Sequence, residues 1–197
     1  MLNAIQNRRS IRKYQSKPVP RELVEQVLQA GILAPSSKNR QPWRFIVCTG
    51  PAKARLLLAM EQGLQREAQQ PMLPESAPYL ASAHNTLHIM QQAPVLIFIM
   101  NALGQSLQAS LTTDERVAEI CNAQSIGAAV QNMTLAATEL GLGSLWICDT
   151  YFAYPELCAT LNAEGELYAA LALGYAAENP PARPRLAMEQ LTEWLNE

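Results

Sequence analysis

The chain has 197 residues, 49% of them hydrophobic and 16% charged, with a formal net charge of −2. That composition excludes an intrinsically disordered chain and gives no bulk attraction to nucleic acid or an anionic membrane. The length suits one domain, residues 1–197, with a sizeable core, and so little charge is expected of a chain that hides part of its surface in an oligomer.

Residues 2–8 predict a short helix leading into "RRSIRKY" (8–14). Pro18 and Pro20 break the chain, with Pro20 suited to a first helical position. "RELVEQVLQAG" follows, with Leu23, Val24, Val27 and Leu28 on one face and Gly31 near its end. "APSSKNRQPW" (34–43) connects this helix to "WRFIVCT" (43–49), which alternates and is rich in β-formers, so it reads as a strand. Residues 51–69 begin with proline and read as a helix, 69–79 as a three-proline loop, and 80–92 as a helix. The continuous apolar run "APVLIFIMN" (93–101) predicts a strand covered on both faces. Residues 114–140 form the longest helical pattern, apolar nearly all round its middle, which predicts a central helix buried by others. "GLGSLWICD" (141–149) is a glycine stop followed by a strand, 153–161 a short helix, and "ELYAALALGYA" (166–176) a strand. Helices and strands mix without regular βαβ alternation, which favours an α+β sheet wrapped by helices.

Charge is distributed unevenly. Ten of the fifteen Lys and Arg lie in residues 1–53, whereas residues 56–182 hold two arginines and twelve acids before Arg183 and Arg185. In "RRSIRKY", Arg8, Arg9 and Arg12 flank Ser10. Guanidinium groups grip phosphate in a two-pronged way and a serine hydroxyl adds a donor. In "PARPR" (181–185), the prolines stiffen an extended segment from which Arg183 and Arg185 project together. Each cluster alone also reads as a solvated basic turn or tail, but two clusters at opposite chain ends can share one anion if the termini meet. In 34–43, Pro35 and Pro42 restrict the backbone, while Ser36, Ser37, Asn39 and Gln41 suit either turn capping or a ligand.

Other chemistries find little support. There is no G-x-G-x-x-G and no P-loop signature. His84 and His88 lie four apart without H-E-x-x-H or a third ligand, so no metal is expected. The four cysteines show no C-x-x-C pair, as expected of reduced thiols in a cytoplasmic protein. No apolar run reaches about 18 residues, and the order of charges at the start is wrong for a secretory leader. A nucleic-acid-binding basic arm would lack interleaved aromatics beyond Tyr14.

"RRSIRKY", "LVEQVLQAGILAPSSKNRQPWRFIV", "LGLGSLWI" and "LALGYA…PARPR", in that order, resemble the FMN-dependent nitroreductase family over nearly the full chain. The resemblance implies a nitroreductase-like fold with a central mixed or antiparallel sheet, an intertwined homodimer, and FMN at the subunit interface. By that resemblance Arg8, Ser10, Arg183 and Arg185 hold the phosphate and Arg9 adds backbone contacts. Arg12 faces the flavin N1/O2 edge. Pro35, Ser36, Ser37 and Asn39 border the ring from the partner chain. Ile147, Cys148 and Asp149 match the strand end facing N5 and O4, with cysteine and aspartate where relatives often carry glycine or glutamate; Asn85 is a candidate for a further ring contact. The implied activity is ping-pong hydride transfer through N5 from NAD(P)H to a small-molecule electron acceptor such as a nitroaromatic or quinone, with no catalytic side chain. Dehydrogenation, dehalogenation or flavin breakdown on the same fold, and a non-catalytic FMN module, are the alternatives. Neither nucleic acid nor membrane is expected as a partner.

Overall fold

The apolar run at 95–101 becomes the spine of the fold. The computed structural model describes residues 2–195. Its elements are α1 (Asn3–Asn7), α2 (Arg21–Ile32), β1 (Trp43–Cys48), α3 (Gly50–Gln69), α4 (Leu80–Gln92), β2 (Val95–Asn101), α5 (Thr113–Glu139), β3 (Gly143–Ile147), α6 (Tyr154–Leu161) and β4 (Glu166–Gly174). The strands form one four-stranded sheet in the order β1-β2-β4-β3, with every pair antiparallel. The only parallel pairing among the described residues is a single bridge, Ser10 to Ser144.

All seven residues of β2 are buried, and the two-residue period of a strand divides them between two cores. Leu96, Phe98 and Met100 join Leu56, Met60 and Leu64 of α3, Leu87 and Met90 of α4, and Leu157 of α6 on one face. Val95, Ile97 and Ile99 join Val24 and Val27 of α2 and Ile126, Val130 and Met133 of α5 on the other. Along β4 the same parity holds for Ala170 and Ala172 against Leu171 and Leu173. It breaks at a β-bulge opposite Ile99 and Met100, which pair with Ala169 and Leu167. The extra residue is Tyr168, and the bulge turns its ring toward α5, where its hydroxyl donates to Glu119 and accepts from the Asn101 side-chain amide at 2.9 Å.

Two expectations shift. Pro20 is the residue before α2, in extended backbone (ψ 141°), and Arg21 is the first helical residue; proline's fixed φ serves an extended entry as well as a first turn. Helix α5 is buried on one side only. Asn122, Ser125, Ile126, Ala129, Val130, Met133, Thr134 and Ala137 are buried, whereas Val117 and Ile120 are half exposed. One chain supplies α2, β3 and α1 to cover α5 and leaves its other side open. The helix starts at a capping box that its apolar pattern did not reveal: Thr112 Oγ1 accepts the Glu115 N–H at 3.3 Å, and Glu115 accepts the Thr112 N–H at 2.8 Å.

Glu67, on the buried face of α3, is 1% exposed. Burial pushes its carboxyl up, but the N–H groups of Leu73 (2.8 Å) and Met72 (2.9 Å), the Ser76 hydroxyl and Arg66 outweigh that and hold it below the usual carboxylate range. Arg66 also grips Glu156 of α6 with Nε at 2.9 Å, so the Glu67–Arg66 pair ties α3, α6 and the loop after α3 together. A depressed folded value contributes stability above the ordinary carboxylate pKa, and this is lost as pH falls through the folded one. Glu67→Gln should therefore cost about 1–3 kcal/mol at neutral pH and flatten the loss of stability below about pH 4, measured by denaturant unfolding across pH.

Candidate functional site

Residues 10–15 lie across the end of the sheet and bring the two basic clusters together. The Ile11 N–H donates to the Ser144 carbonyl at 3.0 Å, the Gln15 N–H to Tyr175 at 2.9 Å, and the Ala177 N–H returns to Lys13 at 2.9 Å. Glu178 accepts the backbone N–H groups of both Arg12 and Lys13, and Lys17 Nζ sits 4.1 Å above the Tyr175 ring. The buried Tyr14 hydroxyl donates to the Ile11 carbonyl at 2.9 Å; burial, reinforced by the Glu178 charge, pushes this phenol well above its ordinary range, so it stays protonated. This crossing needs space at one place. Gly143 and Gly174 are register partners. A Cβ at 143 would come within 2.8 Å of the Ile11 side chain, and one at 174 within 2.5 Å of the Pro94 ring and 2.9 Å of the Tyr14 ring. A pair of glycines is what lets the first segment pack on the sheet.

Beyond the crossing opens a cleft of about 600 Å³, lined by Ile5, Arg8, Arg9, Ser10, Arg12 and the segment Pro180–Arg185. Five arginines line it and, among the described residues, no carboxylate does. None of the five makes an ion pair among the described residues. Arg9 is partly spoken for, donating to the Gln6 carbonyl at 2.7 Å and the Arg8 carbonyl at 2.9 Å at the end of α1. Arg185 reaches the Pro184 carbonyl at 3.2 Å, and Arg12 bends back toward the Ser10 carbonyl at 3.3 Å. Like charges gathered this closely repel unless an anion joins them. The volume falls within the range of small-ligand sites, and the donor set of planar forks plus one hydroxyl is that of a phosphate site.

Pro35, Ser36, Ser37 and Asn39 do not line this cleft. Their loop docks on α5, where the Ser37 N–H donates to Ser125 Oγ at 3.3 Å, while Ser125 donates to the Cys121 carbonyl at 2.7 Å. Ser36 Oγ accepts the Gln41 N–H at 3.0 Å, and Asn39 Oδ1 accepts the Gln41 amide at 3.3 Å. Ile147, Cys148 and Asp149 lie at the far end of β3 from Ser144, also outside the cleft lining. Thr86, buried on α4, donates to the Asp149 carboxylate at 2.5 Å; its neighbour Asn85 is exposed. Burial and then the Asp149 charge push the Cys148 thiol up, so it is a thiol at neutral pH. His84 and His88 are both exposed.

A second cavity, of about 470 Å³, lies beside α5 and the loop before it, lined by Tyr151, Tyr154, Tyr168, Glu119 and Glu166 among others. Tyr154 donates to Glu166 and Tyr168 to Glu119; burial first, then these carboxylates, push both phenols above their ordinary range. Three contributors escaped the sequence reading. Glu178 and Ser125 act through backbone groups and carry no motif; Thr86 sits at a core position of a helix whose pattern alone could not tell an acceptor-seeking hydroxyl from a filler.

A model of the nitroreductase family matches residues 5–175. A protein of Methanothermobacter thermautotrophicus, whose name proposes NADH dehydrogenase or NAD(P)H nitroreductase activity, is 30% identical over 194 residues, covering 93% of this chain and 81% of the relative. An NADH dehydrogenase of Thermus thermophilus is 29% identical, covering 95% and 92%. A crystal structure from Desulfovibrio desulfuricans, described as a nitroreductase in complex with FMN, aligns with a TM-score of 0.71 at 31% identity, covering 98% of this chain and 96% of that one.

Gly143→Val should push Ile11 off the sheet and cost about 1–3 kcal/mol. The expected readout is a lower unfolding midpoint together with faster proteolysis within residues 8–21, the segment the glycine pair seats.

Proposed function

Because the chain belongs to the nitroreductase family, we propose that it is an FMN-dependent NAD(P)H oxidoreductase, working as a homodimer on electron-poor acceptors such as nitroaromatics and quinones. The observation that carries this reading is the cleft: five arginines from both chain ends around one volume that no acid lines among the described residues. That set fits a phosphate dianion, and none of its side chains is ion-paired among the described residues.

When bound, the flavin supplies two-electron exchange between a reduced nicotinamide and an oxidised acceptor. The chain's own residues do the rest. Arg8, Ser10, Arg183 and Arg185 hold the phosphate, and Arg9 stiffens the end of α1 so that Ser10 enters the cleft at a fixed angle. Arg12, whose backbone N–H is held by Glu178, would present a positive charge to the N1/O2 edge and favour negative charge there. Thr86 fixes the Asp149 carboxylate beside the strand end that would face N5 and O4. No side-chain nucleophile is called on, which agrees with a Cys148 thiol held protonated.

A second copy completes the site. The loop at 35–39 docks on α5, away from its own chain's cleft, so it is available to border the ring held by a partner. The open side of α5 with Val117 and Ile120, and the exposed Leu186, Met188, Leu191 and Trp194 beyond the cleft, form the apolar surface such a partner would cover.

Purified protein should be yellow, and anaerobic NADH or NADPH should bleach it. The paired change Arg183→Ala and Arg185→Ala should weaken FMN binding by about 100-fold or more, read by dialysis and flavin fluorescence. Undiminished retention in that variant contradicts the phosphate grip.

A further inference from the structure

The turn at 38–41 is the most strained backbone of the described chain. Lys38 (φ 53°), Asn39 (φ 54°) and Gln41 (φ 48°) all occupy the left-handed region, where the only other non-glycine residue is Asn162. Asparagine enters that region readily, but lysine and glutamine do so at a cost that the surroundings must offset. The offsetting bonds are the Ser36 hydroxyl on the Gln41 N–H, the Asn39 side chain on the Gln41 amide, and Ser125 beneath the Ser37 N–H. Residues 36, 37, 39 and 41 are therefore occupied in holding the turn.

The two side chains left over are Lys38 and Arg40. Both are exposed, and neither makes an ion pair or a side-chain hydrogen bond among the described residues. The part of α5 on which the turn sits offers a serine hydroxyl and the Cys121 carbonyl. The nearest acid along that helix toward its start, Glu119, already accepts from Tyr168, Asn101 and the Gln105 N–H. Two cations without ion pairs, one residue apart, thus stand exposed on a turn held in a costly conformation. They are not part of the cleft that would hold the flavin phosphate, whose lining contains neither residue.

We propose that Lys38 and Arg40 recognise the 2′-phosphate of NADPH at the mouth of the flavin site, and that this makes the enzyme discriminate against NADH. The inference rests on the reading above that the loop at 35–39 borders the partner's flavin. NADPH and NADH differ by one phosphomonoester, which carries nearly two negative charges at neutral pH. A planar arginine fork and a lysine point charge on one turn suit that group, and the ribose hydroxyl of NADH gives them nothing comparable to bind.

The test uses flavin-loaded protein and two probes that cannot transfer hydride, 2′,5′-ADP and 5′-AMP. The expected result is tighter binding of 2′,5′-ADP by about tenfold or more, weakening with added salt. The advantage should vanish in the double variant Lys38→Ala, Arg40→Ala, whose NADPH-to-NADH ratio of kcat/KM should fall by about the same factor. A Lys38→Gln, Arg40→Gln pair, closer in size, guards against a folding defect. Equal binding of the two probes by the wild-type holoprotein overturns the proposal. So does an unchanged coenzyme ratio in the folded variants, or an effect confined to acceptors that carry a carboxylate. Wild-type protein that takes up no FMN would instead overturn the flavin reading beneath it, so the two failures are distinguishable.

Discussion

The crossing of residues 10–15 over the sheet end is the constraint on which the site depends. It is made by three backbone hydrogen bonds to Ser144 and the Tyr175–Ala177 segment, two more into Glu178, and one pair of opposed glycines. Backbone bonds fix position far better than contacts between long surface side chains, so "RRS" and "PARPR" meet with little freedom. The consequence is electrostatic. Five cations that repel one another are held at one place by bonds that are mostly made by other groups.

The same economy runs through the rest of the molecule. The bulge at Tyr168 brings its hydroxyl to Glu119 at the edge of the core. The strained turn at 38–41 is held by its own small polar residues and by Ser125, leaving its long cations unoccupied. Buried or anchored groups set geometry, while the cleft arginines, Lys38 and Arg40 remain without ion pairs among the described residues. The one buried side-chain atom lacking a hydrogen bond among those described, Asn122 Nδ2, lies one turn from Ser125, under the side of α5 where the loop docks.

Much of this was legible in the sequence. The continuous apolar run gave a strand covered on both faces, and the order of elements gave an α+β fold, because two-residue and 3.6-residue periods survive in the residue order. The charge map located both halves of the cleft, since unbalanced arginines are rare enough to stand out against twelve acids in the middle of the chain. What stayed hidden depends on contacts far apart in sequence. Glu178 was one of twelve acids in the middle of the chain, Gly143 part of a helix stop, and α5 a helix expected to be buried by others. In the first two cases the partner is Ile11, Arg12 or Lys13, over a hundred residues away; in the third, one chain covers only half of an apolar helix. The strain at Lys38 and Gln41 had no sequence signal at all, because neither residue type favours the left-handed region.

The central claim is that cations from both chain ends converge on one phosphate. Titrating apoprotein with FMN and with riboflavin, which differ only by that group, tests it most directly. The account predicts that FMN quenches and binds at least about 100-fold more tightly, with the difference shrinking as salt is raised. Equal affinity for the two flavins would contradict it.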